Sequence, residues 1–355
     1  ASFFPKEKYY KTPFSHKVAS LIPVGKQPVC YDQDKIPPDV AQTMAKDRTG
    51  LPNARIHQTL QWAGRSCGPG KWFRECIKKE LLSDYLQYYQ GLRELTDDEV
   101  LHGYGPKHKY YQCLRGLELD RSAGFTMKTL YGKTKKNEII SVDSLGHYTW
   151  QDTPEAVEAQ QLYHESVALC REGKQYPSVF TELLKMELLK TSKRFIGRTF
   201  TAQDLIPVLV EKKFLGEFFA RAMKDDPSVG VGVNAYTDFD KIFQKLQKHP
   251  HVFTGDYKRY DRTIPRCVFE DVRDLFIEVN PKLEKEITAV FLSLINRIQV
   301  SGTTIFMAFR GMPSGCISTA PLNSKCNDLL VYSCFAHLAR DAGKPVSFRY
   351  YRDNV

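Results

Sequence analysis

Apolar positions recur at helical spacing from residue 71 to residue 100, where KWFRECIKKELLSDYLQYYQGLRELTDDEV interleaves aliphatic and aromatic side chains with charged ones. A helix is expected there, and Thr96-Asp97-Asp98 offers a cap for the next one. RSAGFTMKTLYGKTKK, from Arg121 to Lys136, reads as a loop around Gly124 with a basic end at Lys133, Lys135 and Lys136. Helical spacing returns over 154–190, from PEAVEAQQLYHESVALCREG into SVFTELLKMELLK, so helix is expected through the whole stretch. RTFTAQDLIPVLVEKKFLGEFFARAM then begins as a strand and ends as an amphipathic helix. HVFTGD is a short apolar run of strand type, and from Gly311 a Gly/Pro/Ser loop precedes an apolar-patterned helix. Residues 1 to about 60 are rich in Pro, Lys and Tyr without periodicity, which predicts an extended arm that depends on the rest of the chain for its fold.

Such an alternation of elements over 355 residues, without repeats or low-complexity tracts, predicts a compact α+β body. Hydrophobic residues at 42% and charged residues at 26% exclude a disordered or collagenous chain. A net charge of +10 favours a polyanionic partner, nucleic acid before membrane. The nine cysteines include no C-x-x-C pair and no histidine at zinc spacing, which argues against a disulfide framework or structural zinc and for a reducing compartment. No apolar run reaches the length of a spanning helix, and the longest, ITAVFLSLINRIQV, is interrupted by Asn296 and Arg297. An initial Ala in place of Met suggests a piece cut from a longer precursor.

Chemistry concentrates in two places. In HVFTGDYKRYDRTIP an apolar run ends in Asp256 and a second carboxylate, Asp261, follows five positions later, so one can stand beside a divalent metal while the turn returns the other towards a substrate. In GMPSGCISTAPLNSKCNDLLVYSCF the glycines at 311 and 315 let backbone approach a ligand, and Ser314, Thr319 and Asn323 supply hydroxyls and an amide suited to a sugar.

These two segments resemble motifs A and B of the positive-strand RNA virus RNA-dependent RNA polymerases, most closely the picornavirus-like group. D-x4-D stands as Asp256 and Asp261, and PSG-x3-T-x3-N as Pro313, Ser314, Gly315, Thr319 and Asn323. KMELLKTSKRFIGRTFTAQDL resembles motif F of the same family, Lys185 and Glu187 matching the start of its K-D-E-L signature with Met186 in place of Asp. LELDRSAGF is similar to a fingers segment and VGVNAYTDFDKIFQKL to the approach to motif A, so the resemblance covers roughly residues 115 to 335.

The resemblance implies an α+β, right-hand polymerase fold: fingers plus a palm whose short antiparallel sheet is flanked by helices, with the thumb absent from this chain. Its divisions would be an arm and fingers over 1–115, fingers with motif F (185–200) over 116–235, and a palm over 236–355 with motif A at 253–264 and motif B at 311–335. It implies template-directed transfer of a ribonucleoside monophosphate to an RNA 3′-hydroxyl with Mg²⁺ or Mn²⁺. Asp256 and the Tyr257 carbonyl would be metal ligands; Asp261, Ser314, Gly315, Thr319 and Asn323 would hold the ribose and nucleotide. Lys185, Lys193, Arg194 and Arg198 would contact the triphosphate. The partners implied are an RNA template and primer, NTPs and other viral replication proteins, with no stable DNA partner, in the host cytoplasm at membrane-associated replication complexes.

One family element does not match. The chain contains no G-D-D of motif C. Either Arg352-Asp353-Asn354 is a variant of it, with Asp353 as a further metal ligand, or it is the run-in to a strand whose G-D-D lies beyond Val355. The second is preferred, because a tight hairpin wants Gly where Arg352 stands and an arginine would compete with the cations. Two rivals remain: a catalytically inactive polymerase-like RNA-binding scaffold, and a reverse transcriptase, for which an aromatic gate would be expected near Asp261.

Overall fold

The computed structural model describes residues 68–184, 199–234, 236–248, 255, 257, 260–301 and 304–354. The arm expected over the first 60 residues lies outside them, as does all but Gly255 of the run expected to be a strand before Asp256. α1 (Lys71–Tyr89) buries Ile77, Leu81, Tyr85 and Tyr89 along one stripe at i, i+4 spacing. α2 (Asp97–His102) begins with a reciprocal cap: the Thr96 hydroxyl accepts from the Glu99 N–H at 3.1 Å, and the Glu99 carboxylate accepts from the Thr96 N–H at 2.9 Å. α3 (Phe125–Tyr131) is capped from outside, the buried Asp204 carboxylate accepting from the N–H groups of Phe125 at 2.6 Å and Thr126 at 2.9 Å. An antiparallel hairpin of β1 (Ile140–Val142) and β2 (Tyr148–Trp150) leads to α4 (Pro154–Arg171), which starts on a Thr153 cap with proline in its first turn.

Helix does not continue to residue 190. α4 ends at Arg171, Gly173 takes a left-handed conformation (φ +73°), and β3 (Val179–Leu184) is a strand. Its neighbours decide this: β3 is paired on one side with β4 (Thr199–Gln203) and on the other with a strand from far along the chain, so the helical preference of Glu182, Leu183 and Leu184 is overridden by tertiary pairing. α5 (Leu205–Lys224), expected to be amphipathic, is buried almost all round. Its charges have partners, as buried charges must. Lys213 Nζ lies 2.9 Å from both the Leu95 carbonyl and Asp97, Glu211 accepts from the Gln203 amide at 2.8 Å and the Ser318 N–H at 2.9 Å, and Lys212 Nζ donates to the Arg115 carbonyl at 2.9 Å.

The chain continues through α6 (Phe239–Leu246), the single turn α7 (Tyr260–Thr263), α8 (Arg266–Val279) and α9 (Glu284–Ile295). Asn296 and Arg297, which interrupt the longest apolar stretch, mark the change from α9 to β5 (Arg297–Ser301). β6 (Thr304–Ala308), α10 (Thr319–Asp341) and α11 (Phe348–Asn354) complete the described chain, with α1 packed on α8 and α10. α10 is fastened through buried Lys325, whose Nζ lies 2.6 Å from Asp226, 2.7 Å from Asp328 and 2.7 Å from Ser228. No described helix is long and apolar enough to cross a membrane.

The larger sheet has the order β4-β3-β5-β6; its β3–β5 join is parallel and its other two joins are antiparallel. Its register aligns Thr201 with Glu182, and Gln203 with Phe180 and Gln299. Residues two apart share a face, so Thr201, Gln203, Glu182, Arg297, Gln299 and Ser301 lie on one largely polar face, with Phe180 among them, and every one of them is buried. That face receives the loop after β6 and the first turns of α5, which determines where the site forms.

Burial and the neighbouring Lys136 pull the Lys212 amine down to about 7, whereas an unfolded chain leaves it near ~10.4. Between these values the unfolded state holds a proton that the folded state lacks, so this group disfavours folding fully below about pH 7 and less as pH rises towards ~10. Lys212→Met should therefore have a higher Tm relative to the parent at pH 6 than at pH 9, read by calorimetry at both; an increment independent of pH would contradict this.

Candidate active site

Asp261 stands in the turn α7, and its backbone is stitched to the loop after β6. The Met312 N–H donates to the Asp261 carbonyl at 2.6 Å, and the Gly311 N–H to the Ile264 carbonyl at 3.2 Å. Gly311 adopts φ +67°, a left-handed conformation that suits glycine and lets the chain turn down onto α7. From the other direction Tyr260 Oη donates to the Asn323 carbonyl at 3.0 Å, tying the same turn to the first turns of α10. Asp261, the 311–315 loop and Asn323 are thus brought to one place.

The loop is seated on β4. Ser314 Oγ accepts from the Thr201 N–H at 3.2 Å, with the two hydroxyl oxygens 3.4 Å apart. At Gly315 a Cβ would overlap the Thr201 carbonyl oxygen and stand 2.8 Å from its carbon, so glycine is required by space rather than by φ. Thr319 Oγ1 lies 2.9 Å from the Pro313 carbonyl and 2.7 Å from the Cys316 carbonyl, closing the loop on the start of α10. The Asn323 side-chain oxygen is buried and has no hydrogen-bond partner among the described residues. A buried acceptor left in that state is unfavourable unless a ligand supplies the donor.

Burial pushes the Asp261 carboxyl above its ordinary range, and the nearby Arg262 and Arg297 guanidinium groups oppose that rise. Arg262 Nε is 3.9 Å from Asp261 Oδ2. Arg297, fully buried, donates through Nη1 to the Gly311 and Leu294 carbonyls, each at 3.0 Å. The arrangement presents a carboxylate, an unpartnered amide oxygen and two hydroxyls around a glycine loop, a set able to hold a polyol such as a ribose.

The chain matches, over residues 37–351, the family described as viral RNA-dependent RNA polymerase. It belongs to that family. Among relatives, it is 44% identical over 353 residues to "Polyprotein-FSD" of Solenopsis invicta virus 3, covering 99% of this chain and 10% of that polyprotein. It is 26% identical over 235 residues to the "Replication polyprotein" of Nora virus, covering 63% of this chain and 11% of that one. The chain therefore spans about a tenth of the curated relatives it matches. Among solved structures, a Sicinivirus 3Dpol RNA-dependent RNA polymerase superposes with a TM-score of 0.63 at 18% identity, covering 91% of this chain and 62% of that one. The fold is that of the right-hand polymerases.

Within this polymerase fold, the described residues gather Asp261, Ser314, Gly315, Thr319 and Asn323 as the sequence suggested. Tyr257 is half exposed, its ring 4.9 Å from that of Tyr260. Asp256, Lys185, Lys193, Arg194 and Arg198 lie outside the described residues. Leu184 and Thr199, which stand on either side of the segment expected to be motif F, are directly paired across β3 and β4. Asp353 falls in α11, so neither a hairpin nor the run-in to a strand forms around it; Phe348 and Tyr351 pack on the Tyr332 ring of α10 at 5.0 and 5.2 Å, which favours helical spacing. Among the described residues no three or more His, Cys, Asp or Glu side chains group to hold a metal ion.

Sequence reasoning missed Thr201, Glu182, Arg262 and Arg297. Only Arg297 left a signal, as a charge inside an apolar stretch. Gly315→Ala should lower stability by about 1–3 kcal/mol through overpacking, whereas Gly105→Ala, where an added methyl meets nothing, should change it by less than about 0.5 kcal/mol; denaturant unfolding of both variants checks the contrast.

Proposed function

We propose that this chain is the fingers and palm of an enzyme of template-directed RNA synthesis, which transfers a ribonucleoside monophosphate from an NTP to an RNA 3′-hydroxyl and releases pyrophosphate during viral genome replication. The observation that carries this reading is the backbone stitching of the Asp261 turn to the Gly311–Gly315 loop, with the unpartnered Asn323 oxygen beside them. Asp261 and Asn323 take the ribose 2′-hydroxyl, which separates RNA precursors from DNA precursors. Ser314 and Thr319 hold the loop that completes the pocket, and Gly315 brings its backbone close. Lys185, Lys193, Arg194 and Arg198 meet the triphosphate, where guanidinium forks match phosphate oxygens.

Polymerases of this family use divalent metals. Asp256 is the metal ligand, with the Tyr257 carbonyl beside it and Asp353 as a further candidate; Mg²⁺ or Mn²⁺ held there would lower the barrier to attack and stabilise the leaving oxygen. The partners are an RNA template and primer, NTPs and other viral replication proteins, with no stable DNA partner, and the place of action is the host cytoplasm at membrane-associated replication complexes. The net charge of +10 supports RNA binding, whose affinity should fall steeply with salt.

The test is primer extension by the full-length polymerase that contains this chain. Asp256→Asn should abolish incorporation, and Asp261→Asn or Asn323→Ala should each reduce the preference for NTP over dNTP by ~1–3 kcal/mol, roughly five- to 150-fold. A parent protein that binds RNA and incorporates nothing would instead establish an RNA-binding scaffold, and a preference for dNTPs a reverse transcriptase.

A further inference from the structure

Three charged side chains lie buried beneath the sugar site, and none belongs to the set expected to touch the nucleotide. Arg297 opens β5 at 0% exposure, Glu182 lies in β3 at 1%, and Arg262 follows Asp261 in α7 at 5%. Buried ion pairs are poor devices for stability alone, since apolar residues of similar volume often serve as well. Their hydrogen bonds point to another use.

The Gly311 carbonyl and the Met312 N–H are the two ends of one peptide group. Arg297 Nη1 donates to its oxygen at 3.0 Å, and its N–H is given to the Asp261 carbonyl at 2.6 Å. That plane cannot rotate without breaking both bonds, although the glycine before it is free of Cβ hindrance. On the opposite side Arg262 Nη2 lies 2.6 Å from Thr199 Oγ1 and 3.4 Å from Glu182 Oε1, and Thr199 Oγ1 donates to Glu182 Oε1 at 2.9 Å. Thr199 and Glu182 sit on the two strands that flank motif F.

We propose that Arg297 and Arg262 are positioning residues that, with Glu182, hold Asp261 and the Gly311–Met312 peptide in one register with the strand pair carrying motif F. The two arginines set the sugar clamp and the root of the triphosphate-binding finger at a fixed separation without touching substrate. The electrostatic arrangement agrees: both guanidinium groups act on the Asp261 carboxylate, and Arg297 acts on Glu182 as well. This rests on the reading of Asp261 as the ribose contact.

The experiment measures kcat and KM for ATP and for 2′-dATP in single-nucleotide primer extension by the full-length polymerase, with Tm alongside, for Arg297→Met, Arg297→Lys, Arg262→Lys and Asp261→Asn. Arg297→Met and Arg262→Lys should each lower the ATP-over-dATP ratio of kcat/KM about tenfold, through a higher KM for ATP and an almost unchanged KM for dATP. Arg297→Lys, which keeps the charge and one donor, should recover part of the ratio. Should Arg297→Met fail to fold, Arg262→Lys carries the same prediction. A lower Tm with the ratio unchanged in the folded arginine variants, while Asp261→Asn loses the ratio, overturns the positioning role alone. An unchanged ratio in Asp261→Asn overturns the reading of the sugar site beneath it.

Discussion

A sheet face that is both polar and buried has to be given hydrogen-bonding partners by whatever covers it. In this chain the face built from Thr201, Glu182, Gln203, Arg297, Gln299 and Ser301 makes that demand. Much of it is met by the 311–315 loop, by Glu211 of α5 and by Arg262 of α7, while the Gln299 amide has no partner among the described residues. The loop cannot sit elsewhere without taking the Ser314 acceptor from the Thr201 N–H and the Gly311 acceptor from Arg297, and Gly315 is the residue that lets it come close enough. The geometry of the proposed nucleotide site is therefore a consequence of satisfying buried polar groups, with the apolar core around Phe276, Phe218 and Tyr89 serving as the support.

Much of this was legible from residue order. The Gly/Pro/Ser loop followed by an apolar-patterned helix is what stands at 311–341, and the left-handed turn at Gly311 is a local backbone requirement that glycine states in the sequence itself. The Thr96 cap is equally local. β3 was not legible: its Glu182, Leu183 and Leu184 continue a helix-like pattern, and the two strands that make it a strand lie on either side of it in space, one of them far along the chain. α5 looked amphipathic because Glu211, Lys212, Lys213 and Glu217 are charged, and only the fold reveals that each is buried against a partner.

The site divides in the same manner. Asp261, Ser314, Thr319 and Asn323 could be named because spacing and residue type state their chemistry. Arg262, Arg297, Glu182 and Thr201 could not, because their importance comes from three separate elements converging under the turn α7. Lys325 belongs with them: it reads as one more surface lysine on α10, yet it is buried between Asp226 and Asp328 and anchors the helix that bears Asn323.

The parallel join between β3 and β5 has a bearing on biosynthesis. When β3 and β4 leave the ribosome they can pair with each other, but the strand that covers the second edge of β3 is roughly a hundred residues further on. For that interval the nascent hairpin carries an unpaired edge and a row of polar side chains with no lid, a state open to mispairing with neighbouring nascent chains. The chain thus passes through an exposed stage between the synthesis of β4 and that of β5, and the arrival of Arg297 closes it.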